Sequence, residues 1–193
     1  MARPRDFDEN EVLAKAMQLF WYKGYNGTSI DDLLDTMGLS RSSLYSTYTD
    51  KHTLFLKALA NYQQVTSLEI QEVIADAGPA KEKVKKLLKF IAGKMLNDEQ
   101  QKGCFMLNAE VELAPHDKEV KELVQMNDLQ TEEIFYQIIK KGQDSGQIKN
   151  RRDARVMARF ILNSVKGIRV TAKSTSDKAI FDDITELTLS VLD

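Results

Sequence analysis

The chain is poor in the residues that build disulfides, metal centres and kinks. It has 193 residues, of which one is cysteine, three are proline, nine are glycine and two are histidine. A lone Cys104 excludes an intramolecular disulfide and a cysteine-rich zinc site. Two histidines, His52 and His116, leave little for an imidazole base, and no nucleophile stands at a useful spacing from a base. No HxxxH or ExxH pair occurs, and Glu110 and Glu112, two apart on a helix, diverge, so no metal site is expected. No run reaches the roughly 18 apolar residues of a membrane span. The opening MARPRDFDEN has no apolar stretch after its arginines, so a signal peptide is not expected and a cytoplasmic location is. An excess of positive charge is missing too. The net charge is −2 and the pI about 5.8, so the basic footprint usual in nucleic-acid binders does not appear.

What is present is an ordinary globular composition. With 42% hydrophobic and 29% charged residues the chain can bury a real core and is not disordered. Ala, Leu, Lys, Glu and Gln are plentiful and strand-like alternation is scarce, which points to an all-α fold of about nine helices. Asp8, with Glu11 three residues on and Phe7 and Val12 placed as a staple, opens the first helix; Gly24 stops it. Thr28 and Ser29 are cap candidates for a second helix ended by Gly38. Ser40 caps a short third helix, about Arg41 to Tyr48, and Asp50 opens a fourth that runs to about Ala75. Ala77-Gly78-Pro79 is the clearest boundary. A fifth helix follows, then a polar connection, Asn97 to Lys102. A sixth helix is expected from Gly103 to the break at Pro115, a seventh from about Asp117 to Ser145, an eighth from Asp153 to Ala172 and a ninth from Asp177 to Leu192. No internal repeat or low-complexity tract is visible.

The segment SRSSLYSTYTDK, Ser40 to Lys51, carries a hydroxyl on eight of its twelve residues. Hydroxyl side chains compete for backbone hydrogen bonds and are indifferent helix formers. Yet it lies between two well-patterned helices and follows a Gly-containing turn, which is a helix-turn-helix arrangement. Leu44 and Tyr48 face the core. Arg41, Ser42, Ser43, Tyr45 and Ser46 are left for phosphates and base edges. Thr28 and Ser29 at one helix start and Lys51 at another are placed to clamp the DNA backbone on either side. A merely solvated polar face would explain a short Ser-rich helix alone, but not the caps, turn and flanking apolar faces in register.

The run LFWYKGYNGTSIDDLLDTMGLSRSSLYSTYTDKHTLF, Leu19 to Phe55, resembles the TetR/AcrR family of transcriptional regulators. It has an aromatic and Gly after helix 1, Thr-Ser before helix 2, Gly-Leu-Ser in the turn, Leu-Tyr in the third helix, then an aromatic and Lys. GCFMLNAEVELAPHD, Gly103 to Asp117, looks like a subgroup of the same family. The resemblance implies DNA contacts at Thr28, Arg41, Ser42, Ser43, Tyr45, Ser46 and Lys51. Position 42 is often Gly in the family and is Ser here. Position 47, a phosphate contact, is often Tyr or His and is Thr47 here; Tyr48 replaces the usual Phe. Across residues 1–57 acids slightly outnumber bases, though most acids sit in first helical turns, where they stabilise the macrodipole. Weak non-specific binding and reliance on dimerisation follow. Arg3 and Arg5 offer an N-terminal arm toward a minor groove, although an unbound tail is its default state.

Two domains are expected: 1–52 for DNA and 53–193 for effector binding and dimerisation. The dimer interface is expected on the last two helices, at Phe160, Ser164, Gly167, Thr171, Ile180, Ile184, Leu187 and Val191, whose small residues permit close crossing in a four-helix interface. By resemblance, a small-molecule effector of unknown identity sits among helices 5 to 7. Candidate lining residues are Tyr62, Phe90, Met95, Cys104, Phe105, Met106, Asn108 and Phe135, against the plain alternative that a Met and aromatic stripe is core. Cys104 at a helix start beside Lys102 is a candidate electrophile sensor, against the alternative of a small buried residue. His116 and Asp117 read as the cap of helix 7. The function expected is a dimeric, effector-released repressor on a near-palindromic double-stranded operator, with no enzymatic activity, cofactor, metal or membrane partner. The competing class is a helical enzyme or metal-binding bundle that keeps an unused helix-turn-helix.

Overall fold

The structure is a computed structural model that describes residues 7–75 and 78–193. Arg3, Arg5 and Ala77 lie outside them. The described residues form nine α-helices: α1 (Glu9–Lys23), α2 (Ile30–Met37), α3 (Arg41–Tyr48), α4 (Lys51–Ile74), α5 (Ala80–Leu96), α6 (Phe105–Glu112), α7 (Lys118–Asp144), α8 (Ala154–Thr171) and α9 (Lys178–Leu189), with a final 3₁₀ turn over Ser190–Leu192.

Most starts are fixed by the short polar side chains that the sequence offers. Asp8 accepts from the Asn10 N–H, while Glu11 turns away from the cap to pair with Lys15. Ser29 and Asp32 form a reciprocal capping box, and Ser40, Asp50, Asp117, Asp153 and Asp177 cap α3, α4, α7, α8 and α9. Each such side chain satisfies donors that the helix leaves unpaired, worth about 1 kcal/mol. Helix 6 departs from expectation. Gly103 has φ +70° and Cys104 is the extended N-cap, so the helix begins at Phe105. A left-handed residue cannot open a right-handed helix.

Two buried clusters organise these helices. One joins α1 to α4 with α6 and the first turns of α7 around Phe20, Leu33, Leu44, Leu54, Phe55, Phe105 and Val120. The other joins the far half of α4 with α5, α7, α8 and α9 around Leu88, Ile91, Phe135, Ile139, Ile161, Ile168 and Phe181. The two long helices α4 and α7 cross from one cluster to the other. Lys166 of α8, ion-paired with Glu110 of α6 and Asp128 of α7, ties the halves together at the side.

Candidate nucleic-acid interface and its neighbouring cavity

The turn between α2 and α3 depends on Gly38, whose φ of +67° places it in the left-handed region with its N–H on the Leu34 carbonyl. Leu44 and Tyr48 anchor α3 inward, both essentially buried. Arg41, Ser42, Tyr45 and Ser46 are exposed, and Ser43 and Thr47 are half-buried. No acidic side chain lies on α3.

The serines are ordered before any ligand arrives. Ser40 Oγ caps the Ser43 N–H at 3.2 Å and lies 3.0 and 2.9 Å from the Ser42 and Ser43 hydroxyls; Ser46 donates to the Ser43 carbonyl at 3.0 Å. Arg41 is exposed but held by Asp31, Nη2 to Oδ1 2.6 Å. An exposed pair of this kind is worth little and is readily exchanged for a phosphate or a base. Lys51, the first residue of α4, lies over the Tyr25 ring, its Nζ 4.2 Å from the centroid. Burial pulls its pKa below the ordinary lysine value against the pull of Glu112.

Thr28 is corrected by the structure. It is 1% exposed and its hydroxyl donates to the Gly24 carbonyl at 2.6 Å, so it locks the turn after α1 instead of facing outward. Ser29 is the exposed cap next to it.

Sequence patterns gave no hint of two links from α6 and α7 to this unit. The Glu112 carboxylate accepts the Tyr25 N–H at 3.0 Å and the Asn26 N–H at 2.7 Å. His52 places a ring nitrogen 2.6 Å from Asp117, the cap of α7, which also accepts the Val120 N–H. Burial opposes ionisation of Asp117, but the Val120 N–H and the His52 ring together hold its carboxyl below the usual range.

The expected effector residues scatter. Tyr62, Phe90 and Met95 do line one cavity of about 50 Å³, together with Trp21, Thr66, Ile70, Ile91, Lys94, Asp98 and Arg169. Cys104 is 1% exposed and receives the Tyr62 hydroxyl at 3.6 Å, so its thiol adjoins that cavity but does not meet solvent. Burial, and next the neighbouring thiol, push the Tyr62 phenol well above its ordinary pKa. Four residues do not join them. Phe105 stacks edge-on between Phe55 and Tyr62, and Met106 is packed in the same core. Phe135 belongs to the other cluster. Asn108 bonds to the Lys102 carbonyl and Lys173 in a separate surface groove beside α1. The sequence reading missed Arg169: it shares helical spacing with the apolar Leu162, Val165 and Ala172, and a lone arginine in such a pattern reads as snorkelling.

Of the expected interface, Phe160, Gly167, Ile180 and Leu187 are exposed, Leu187 at 72%. Val156 and Val170 extend the same face of α8. Ser164 and Thr171 are half-buried, and Ile184 and Val191 turn toward the core. Among the described residues no group of His, Cys, Asp and Glu is placed to hold a metal, and no helix is long and apolar enough to cross a membrane.

A capped two-helix reader with a bare polar face, mounted on a separate helical bundle, defines a helix-turn-helix DNA-binding protein. Two family models match: the tetR family of bacterial regulatory proteins over residues 12–58, and the tetracyclin repressor-like C-terminal domain over residues 80–187. An uncharacterised HTH-type transcriptional regulator of Bacillus subtilis strain 168, YezE, is 32% identical over the whole of both chains. The HTH-type transcriptional repressor ComR of Escherichia coli K12 is 26% identical, over 89% of this chain and 82% of its own. The TetR-family regulator CifR, as a cysteine mutant complexed with 26-base-pair operator DNA, superposes with a TM-score of 0.88 at 26% identity over all of both chains. The chain belongs to the TetR family of transcriptional regulators and is a DNA-binding regulator, not an enzyme.

Proposed function

We propose that the protein is a cytoplasmic, dimeric repressor that binds a near-palindromic double-stranded operator and is released by a small molecule or electrophile. The observation that carries this is the single outward face of α3, on which Arg41, Ser42, Tyr45 and Ser46 stand together on a helix with no acidic residue of its own, Arg41 being held by Asp31 of α2 in an exposed pair. Arg41 and Tyr45 reach bases and phosphates, the serines approach the backbone closely, and Ser29 and Lys51 hold phosphates at the two flanking helix starts, with Thr47 at the edge. A single unit of this kind reads few base pairs, so a dimer is needed. Phe160, Gly167, Ile180 and Leu187 supply its interface, with Ser164, Thr171, Ile184 and Val191 at the margin. Residues 1–52 form the reading part and 53–193 the sensing part.

The mechanism is a shift between two populations. An effector wedged among α4, α5 and α8 displaces α4 and Trp21 of α1, and this alters the separation of the two reading helices. An electrophile acts through Cys104, once the Tyr62 contact opens; Cys104→Ser then abolishes its effect.

Fluorescence anisotropy on DNA from just upstream of the coding sequence, with unrelated DNA as competitor, tests the reading. Specific binding that Arg41→Ala with Tyr45→Phe abolishes is expected, with a logarithmic salt slope no steeper than about −5, or roughly six phosphate contacts. Equal binding to competitor DNA, unchanged in the double variant, rejects it.

A further inference from the structure

The guanidinium of Arg169 is the one charge in the cavity without a counter-charge. The residue is 7% exposed, lines the space walled by Trp21, Tyr62, Phe90, Ile91 and Met95, and makes no hydrogen bond or ion pair with any described residue. Its polar neighbours are already engaged. Asp98 accepts the Gly103 N–H at 3.1 Å and lies 3.9 Å from Lys102. Lys94 is bonded to Glu69. The Trp21 indole N–H donates to the Gly103 carbonyl at 3.0 Å, and the Tyr62 hydroxyl donates to Cys104. No nitrogen of the guanidinium is fully enclosed without a partner, so the group opens onto the cavity, where an anion can pair with it.

We infer that this cavity takes a small monocarboxylic acid, its carboxylate on Arg169 and its apolar tail against Trp21, Phe90 and Ile91. One guanidinium matches one negative charge and offers a planar fork that carboxylates fit in bidentate fashion. The Asp98 carboxylate in the same wall disfavours a dianion. About 50 Å³ exceeds the roughly 10–15 Å³ that admits one water but is about a third of the roughly 150 Å³ that takes benzene, so a two- or three-carbon acid is the largest that enters without widening it. The position also gives the anion a route to the DNA-binding unit. Trp21 belongs to α1 and Tyr62 to α4, so filling the cavity acts on both helices at once. This rests on the effector-released reading above and adds the chemical class of the effector.

The test is a titration of full-length protein with acetate and propionate, against acetamide, propionamide and inorganic phosphate, at constant ionic strength. Trp21 is the chain's one tryptophan, so its fluorescence reports the cavity directly. Saturable change with an acid and not with its amide is expected, at least about tenfold weaker in Arg169→Gln, as for loss of a charged hydrogen bond. The same acid should raise the thermal midpoint of the wild type only. Equal response to acid and amide, no saturable response to either acid, or preference for phosphate each overturns the inference. The amide comparison needs no variant and holds even if a variant misfolds. Operator binding measured in parallel separates the two readings. Loss of specific DNA binding in the untreated wild type defeats the regulator, whereas intact DNA binding without an acid response defeats only the effector class.

Discussion

The two buried clusters are built from different materials. The cluster under the helix-turn-helix is linked by rings: Phe20, Tyr25, Phe55, Phe105, Tyr62 and Trp21 form a chain with centroids 5.0–6.2 Å apart, edge-to-face in every pair except the stacked Phe20 and Tyr25. The cluster beneath α8 and α9 is mostly aliphatic, with Phe135 and Phe181 its only fully buried rings. Aromatic pairs have preferred geometries and resist small adjustments, whereas aliphatic side chains repack at lower cost. The ring chain does not stop at a domain border. It runs from α1 through α4 to α6, so a displacement of α6 reaches the two helices that flank the helix-turn-helix.

The sharpest way to break this comparison is Phe105→Ala. Although Phe105 lies far from the helix-turn-helix in sequence, the substitution should cost about 3–5 kcal/mol and raise hydrogen exchange in α1 and α4. Increased exchange confined to α7, α8 and α9 would contradict the shared ring core. Arg41→Ala touches only the reading face. It should lose about 1–3 kcal/mol of operator affinity while the urea midpoint stays put, because its pair with Asp31 is exposed. A shifted midpoint with unchanged affinity reverses that assignment.

Glu112→Gln probes the link from α6 to the turn after α1. Weakened acceptance of the Tyr25 and Asn26 N–H groups should cost about 1–2 kcal/mol. Gly24→Ala should do at least comparable harm, since Gly24 has φ +77° and an added Cβ would lie 2.9 Å from the Glu112 carboxylate. Stability unchanged in both would show that the link is not formed in solution. At the opposite end, Gly167→Leu meets open space within the protomer. The fold should survive while sedimentation shows dimer association weakened by about tenfold or more. An unchanged dimer would move the interface elsewhere.

The smallest effect is acid sensitivity. Donation by Lys23 and then by Ser29 holds the Asp32 carboxyl below its ordinary range, and the Thr53 N–H does the same for Asp50. Asp117 is lowered as well. A carboxylate whose folded pKa is depressed adds stability above its unfolded value of about 3.9 and loses it as pH falls through the folded pKa. All three serve the reading unit or its link to α7, so below about pH 4 that unit should lose protection before α8 and α9. The reverse order would assign the acid-sensitive contacts to the other cluster.

The helices were legible because their caps and apolar periodicity are local. Ser29, Ser40, Asp50, Asp117, Asp153 and Asp177 announce their starts, and Gly24 and Gly38 two of their ends. The polar face of α3 was legible for the same reason, since an eight-residue helix with Leu44 and Tyr48 turned inward has one remaining side. Contacts across the chain were not. Thr28 and Ser29 are equivalent cap candidates in sequence. Only the approach of the Gly24 carbonyl buries one and exposes the other. Phe105 and Phe135 look like members of one stripe until packing sends them to different cores. Glu112 and Arg169 carry no sequence signal of their roles, because what a charge does is set by the distant groups it meets. By itself, then, the sequence determined the helices, the polar face of α3 and the family, all encoded within a few residues of one another. Tertiary structure alone decided which charge is answered, which is left bare in a cavity and how the two cores are joined, because those depend on groups brought together from opposite ends of the chain.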